Sequence, residues 1–154
     1  MTMAEYVLKR NGVPLGESNS LRNMLLRSLG AKNFAEFWNY WNPIFGYFLG
    51  YKIFKPIKTI LPDSMAFLTT FLVSGLIHDL AALIFTGRTS FLFSIWFLWM
   101  ATGVLLTQLL KFNFSKKPFV IRALINLTII LFCLAIAFSL KKFLGFEILL
   151  SQFL

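Results

Sequence analysis

The chain has 154 residues, is 58% hydrophobic and carries a formal net charge of +9. At a mean hydropathy of +0.74 too few polar side chains remain to cover a soluble domain of this size, which excludes an ordinary soluble globule. The basic residues flank apolar runs and form no separate basic domain, so the charge excludes nucleic acid as the partner and points to membrane lipids.

Residues 1–18 read as a turn-rich stretch around Asn11-Gly12-Val13-Pro14-Leu15-Gly16, with no helical periodicity. Residues 1–30 lack an apolar h-region, so no secretory signal peptide is expected. Asn19 or Ser20 can cap a short helix that runs to Leu29 and closes at Gly30. Leu21, Met24, Leu25 and Leu29 recur on it at helical spacing, an interfacial amphipathic pattern. Asn33 starts a second short helix carrying Phe34, Phe37, Trp38 and Trp41, aromatics suited to the headgroup boundary. Pro43 redirects the chain after it and holds Asn42 in an extended backbone.

The segment 44–61 is apolar, yet Lys52, Lys55 and Lys58 recur along one side. A helix lying in the interface solvates all three, whereas a spanning helix has to snorkel them, so the interfacial reading is preferred and a fourth span is its alternative. Three firm spans follow. Ser64–Phe85 contains only His78 and Asp79 as ionisable groups, Thr89–Leu110 contains none, and Val120–Leu140 contains only Arg122. Residues 145–154 are too short to cross and are expected to pack at the interface. The fold class is therefore an all-α integral membrane protein, three to four transmembrane helices preceded by interfacial amphipathic helices. Residues 1–62 form the N-terminal interfacial segment with the aromatic motif, and 63–154 form the transmembrane region. If the first span runs outward, every Lys and Arg before Pro62, and Lys111, Lys116 and Lys117, are cytoplasmic, and the N-terminus with them.

Chemistry concentrates at one place. His78, the only histidine, lies inside the first span, where an ionisable group is costly enough to mark a functional site. Ser74 lies four positions before it on the same helical face, and Gly75 removes bulk beside it. Asp79 points about a quarter-turn away and is not automatically the imidazole's partner. Asn42 offers an amide that can donate to a carbonyl or accept from a hydroxyl. Ser74 and Asn126 have a plainer reading as polar contacts between helices, Gln108 as interfacial, and Phe91, Phe93, Trp96 and Phe97 as lipid-facing or packing surface. One cysteine, Cys133, and one histidine allow neither an intramolecular disulfide nor a structural zinc site, and no bound metal or cofactor is expected.

Phe37-Trp38-x-x-Trp41-Asn42, followed by Ser74-Gly75-x-x-His78, resembles the signature of the membrane-bound O-acyltransferases (MBOAT), the bacterial and wax-synthase-like branches above all. The resemblance covers residues 21–82. It implies that His78 is the catalytic general base and that Asn42 orients the acyl carbonyl or the acceptor, with Trp38, Trp41 and Ser74 binding substrate. It further implies acyl-CoA or another acyl thioester as donor, a hydroxyl acceptor, and a bacterial inner-membrane location. The shortness of the chain supports an alternative: a non-catalytic small membrane subunit or lipid-binding scaffold retaining part of the acyltransferase fold. It also implies completion of the core by a homo-oligomer or a second membrane subunit.

Overall fold

A computed structural model describes residues 1–144 and 148–149. The first element contradicts the turn-rich reading of residues 1–18. Met3–Asn11 is a helix, α1, closed by Gly12 in the left-handed region. Its start is a capping box: the Glu5 N–H donates to Thr2 Oγ1 at 3.2 Å and the Thr2 N–H to the Glu5 carboxylate at 2.8 Å. Thr2-x-x-Glu5 was the signal, masked by the polar composition that follows it.

Helices α2 (Ser20–Leu29) and α3 (Phe34–Tyr40) have the expected starts, although Asn19 makes no side-chain cap bond to α2. Asn33 Oδ1 accepts from the Glu36 N–H at 2.8 Å, which supplies one of the orphan donors of the first turn of α3. Phe34 and Phe37, expected at the headgroup boundary, are instead core, packed with Ala31, Met100, Val104 and Cys133. Trp41 is 37% exposed.

After Asn42 the chain forms α4 (Pro43–Phe48), a π-helical stretch (Leu49–Phe54) and α5 (Lys55–Lys58). Pro56 explains the wider turn. It has no N–H to give the Lys52 carbonyl, and the preceding residue already donates five back, from Lys55 N–H to Gly50 O. The run from Pro43 to Lys58 rises only about 24 Å, short of the ~30 Å of a hydrocarbon core. Lys52, Lys55 and Lys58 are all exposed.

Three helices are long and apolar enough to cross a bilayer among the described residues: α6 (Asp63–Thr86), α7 (Leu92–Leu109) and α8 (Phe119–Leu144). The protein is an integral membrane protein of all-α class. The second span starts three residues later than its hydropathy suggests, because Arg88–Thr89 form a short strand, β1, and Phe91 turns into the left-handed region at φ 54°. β1 pairs antiparallel with β2 (Ile148–Leu149). The rest of the 145–154 segment, expected at the interface, lies outside the described residues.

Asn126 of α8 joins the N-terminal helices to the bundle. Its Nδ2 donates to Leu29 O at 3.1 Å and Ala31 O at 3.2 Å, closing the carbonyl end of α2. The residue is 1% exposed. Asn126→Leu strands both carbonyls in a buried place, where an unmade hydrogen bond costs about 1–3 kcal/mol. Thermal unfolding in detergent is expected to show that loss. Asn126→Asp, which points acceptors at acceptors, is expected to lose more.

Candidate functional site

The segment Ser74-Gly75-x-x-His78-Asp79 is one turn and a half of α6, and each polar member has a separate job in the packing. Ser74 is 3% exposed, and its carbonyl oxygen lies 2.7 Å from His78 Nδ1. A carbonyl can only accept, so Nδ1 carries the hydrogen and donates it. In a neutral imidazole the lone pair is then on Nε2. The backbone of the residue one turn earlier, and not the Ser74 hydroxyl, therefore fixes the tautomer.

Three phenylalanines surround the ring. Phe97 lies at a centroid separation of 5.0 Å, Phe93 at 5.7 Å and Phe45 at 5.9 Å, the last edge-on. His78 itself is half-buried. Phe93 and Phe97 come from the first turns of α7, and Phe45 from α4. This is how the aromatic segment near Asn42 reaches the histidine of α6.

Gly75 explains why α7 can come so close. A Cβ at this position would lie 2.5 Å from Ser94 Cα and 2.8 Å from Phe93 O. Only a hydrogen fits there, and the first turn of α7 rests on the bare backbone of α6.

Asp79 is the residue that sequence reasoning undervalued. It is 2% exposed and ties down the same turn of α7. Oδ2 accepts from the Ser94 N–H at 2.8 Å and the Ser94 hydroxyl at 2.6 Å. Oδ1 accepts from the Phe93 N–H and the Thr89 hydroxyl, both at 3.2 Å. Phe91, at the cap position of α7, has no side-chain acceptor to offer. A carboxylate from the neighbouring helix takes that place, where both the orphan N–H groups and the helix dipole favour an anion. The signal was legible only in part: Thr89-Ser90-Phe91-Leu92-Phe93-Ser94 opens a span without a strong local cap.

Asn42 departs from its expected backbone. It lies in the left-handed region (φ 38°, ψ 68°), which asparagine tolerates better than most residues. The constraint from Pro43 does not hold it extended, because its Oδ1 accepts from the Phe45 N–H at 3.2 Å and its N–H approaches Met24 Sδ at 3.3 Å. Asn42 thus caps α4 and sets the position of Phe45, which touches His78. Among the described residues no hydrogen bond joins Asn42 to His78. Asn42 instead lines a recess of about 360 Å³ with Asn11, Ser20, Met24 and Ile44. A second recess of about 280 Å³ lies beside Asp79, Arg88, Thr89 and Lys141. His78 lines neither.

Trp38 packs between Phe34, Phe37, Phe71 and Phe97, so it meets His78 only through the shared ring of Phe97. Its buried Nε1–H has no partner among the described residues. Trp41 stacks on Phe37 at 5.5 Å and faces outward. The structure therefore brings His78 together with the Ser74 carbonyl and the phenylalanine cup. Asn42, through Phe45, and Trp38, through Phe97, are one ring further away, and Trp41 lies beyond Phe37 and Trp38.

Among the described residues there is no cluster of three or more metal-ligating side chains. No curated protein and no solved structure matches the chain. The family described as MBOAT, membrane-bound O-acyltransferase family, matches it over residues 2–140, nearly its whole length. The chain belongs to the membrane-bound O-acyltransferase family.

Proposed function

We propose that the protein transfers a fatty acyl group from acyl-CoA, or another acyl thioester, to a hydroxyl acceptor, with His78 as general base. The observation that carries this reading is the bond from Nδ1–H to Ser74 O, which leaves Nε2 as the proton acceptor. Family membership supports the reaction class. In the proposed step Nε2 takes the acceptor's hydroxyl proton while its oxygen attacks the thioester carbonyl. The C–S bond then breaks and the thiolate leaves with that proton. No covalent enzyme intermediate is required.

Asn42 contributes in this reading through Nδ2, since Oδ1 is committed to the Phe45 N–H. An amide donor near the thioester carbonyl stabilises the oxyanion that develops during attack. Trp38, Trp41 and Ser74 shape the surroundings in which the acyl chain binds. The N-terminus faces the cytoplasm, where the coenzyme A ester is supplied, and the location is a bacterial inner membrane.

A second reading has its own observation. Only 17–28% of the most apolar stretch of each span is buried within the chain. Lipid, a second copy or another membrane subunit covers the remainder, which suits a non-catalytic subunit or lipid-binding scaffold.

Transfer of a labelled acyl group from acyl-CoA by purified protein in lipid, across a panel of hydroxyl acceptors, separates the two. Acceptor-dependent product that is absent with His78→Ala supports the enzyme. Silence in both the purified protein and native membranes, with folding intact, overturns it in favour of the subunit.

A further inference from the structure

We propose that Asp79 is a positioning residue for His78. Its carboxylate locks the first turn of α7, and that turn carries the two phenylalanines that hold the imidazole. The claim about function rests on the proposed role of His78 as base; the claim about ring position stands on the packing alone.

The connection is short. The Phe93 N–H donates to Asp79 Oδ1, and the ring of the same residue lies 5.7 Å from the imidazole. Phe97, one turn on, lies at 5.0 Å. His78 and Asp79 are adjacent on α6, so one helix supplies both the imidazole and the clamp on the wall that faces it. Gly75 lets that wall approach, and Asp79 holds it there. The Ser74 carbonyl fixes the tautomer, while the Phe93 and Phe97 rings limit where Nε2 can point. All four acceptor contacts of Asp79 go to α7 or the strand before it, and none goes to the imidazole. Asp79 thus acts on His78 through α7, without touching it.

The charge matters as well as the shape. Asp79→Asn keeps the size and keeps Oδ1 as an acceptor for Phe93 and Thr89. It turns Oδ2 into an NH₂ group that faces the Ser94 N–H, donor against donor, at the bond that is 2.8 Å in the native protein. Ser94→Ala is milder: it removes the 2.6 Å hydroxyl bond and leaves both backbone donors in place.

His78 is the only histidine, so isotope-labelled histidine gives one imidazole and needs no assignment. The protein in lipid nanodiscs is expected to show a single imidazole with hydrogen on Nδ1 and not on Nε2. Asp79→Asn is expected to shift or split that signal. It is also expected to lower kcat for acyl transfer by about 10- to 100-fold, the scale of a reacting group moved by a fraction of an ångström to one ångström, with KM for acyl-CoA within about twofold of the native value. Ser94→Ala is expected to move both readouts in the same direction by less. If Asp79→Asn does not fold, Ser94→Ala decides alone. A folded Asp79→Asn with the native imidazole signal, or an unmoved signal in Ser94→Ala when the first variant cannot be read, overturns the proposal. If the native protein shows no transfer, the acyltransferase reading fails, and the imidazole signal still decides whether Asp79 positions the ring.

Discussion

Gly75→Val is expected to keep the protein from reaching its native helix packing, with the folded yield in detergent falling to a small fraction of the native level. A Cβ there would stand 2.5 Å from Ser94 Cα, 2.8 Å from Phe93 O and 2.9 Å from Ser94 N. All three are backbone atoms, so no rotamer change relieves the clash and α6 and α7 must separate. Overpacking of this kind costs about 1–3 kcal/mol. The separation also stretches the bonds from Ser94 N–H and Phe93 N–H to Asp79. Hydrogen bonds to a charged group are worth about 1.5–3 kcal/mol each, so losing even one brings the total to roughly 2.5–6 kcal/mol. That is a large part of the ~5–15 kcal/mol that holds a domain together. Gly46→Ala is the matched comparison. It lies in α4, and its nearest side-chain atom is Tyr6 Oη at 3.9 Å, ordinary contact. Removing a helical glycine without a clash is expected to leave the melting temperature unchanged or to raise it, by up to about 1 kcal/mol in stability. Equal melting temperatures for Gly75→Val and the native chain would refute the close packing of α6 on α7.

The contrast between those two glycines is invisible in the sequence, because it depends on which element packs against each. Hydropathy sees length and polarity, and it locates α6, α7 and α8 because each must be apolar over a bilayer's thickness. It fails at Thr89-Ser90-Phe91, where the residues are compatible with a span but the backbone turns at Phe91. Capping chemistry is local, so Asn33 was legible. The box at Thr2 and Glu5, with Met3, Tyr6 and Val7 at helical spacing behind it, is equally local, but the turn residues Asn11-Gly12-Val13-Pro14 that follow obscure it. Asp79 could not be read in the same way. Its partners are 10 to 15 positions away on another element, and nothing in α6 alone says that the first turn of α7 lacks a cap. His78 stood out as an isolated imidazole in an apolar run, but its tautomer depends on the Ser74 backbone, which any residue at position 74 provides. A role for Asn42 at the reaction comes from the family resemblance of its motif. In the structure its first duty is to cap α4, and Phe45 makes the contact with the histidine.

Replacing His78 separates its chemistry from its packing. His78→Asn is the informative change, because the amide nitrogen of asparagine lies close to the place of imidazole Nδ1. It can still donate to the Ser74 carbonyl now 2.7 Å away. It has no basic nitrogen in place of Nε2. The expected result is a folded, membrane-inserted protein whose acyl transfer is reduced by about 10²- to 10⁴-fold, the usual worth of a positioned general base. Since the loss is of proton transfer and not of substrate binding, it belongs in kcat, with KM for acyl-CoA little changed. His78→Ala loses the same base and also opens a gap against Phe45, Phe93 and Phe97, so its melting temperature is expected to fall below that of His78→Asn. The gap has the shape of the ring that left it, and added imidazole is therefore expected to restore part of the transfer in His78→Ala. It is expected to restore none in His78→Asn, where the amide occupies the space. A His78→Asn protein that transfers at the native rate would leave proton abstraction to the solvent or the acceptor, and His78 would be a packing residue held between three phenylalanines.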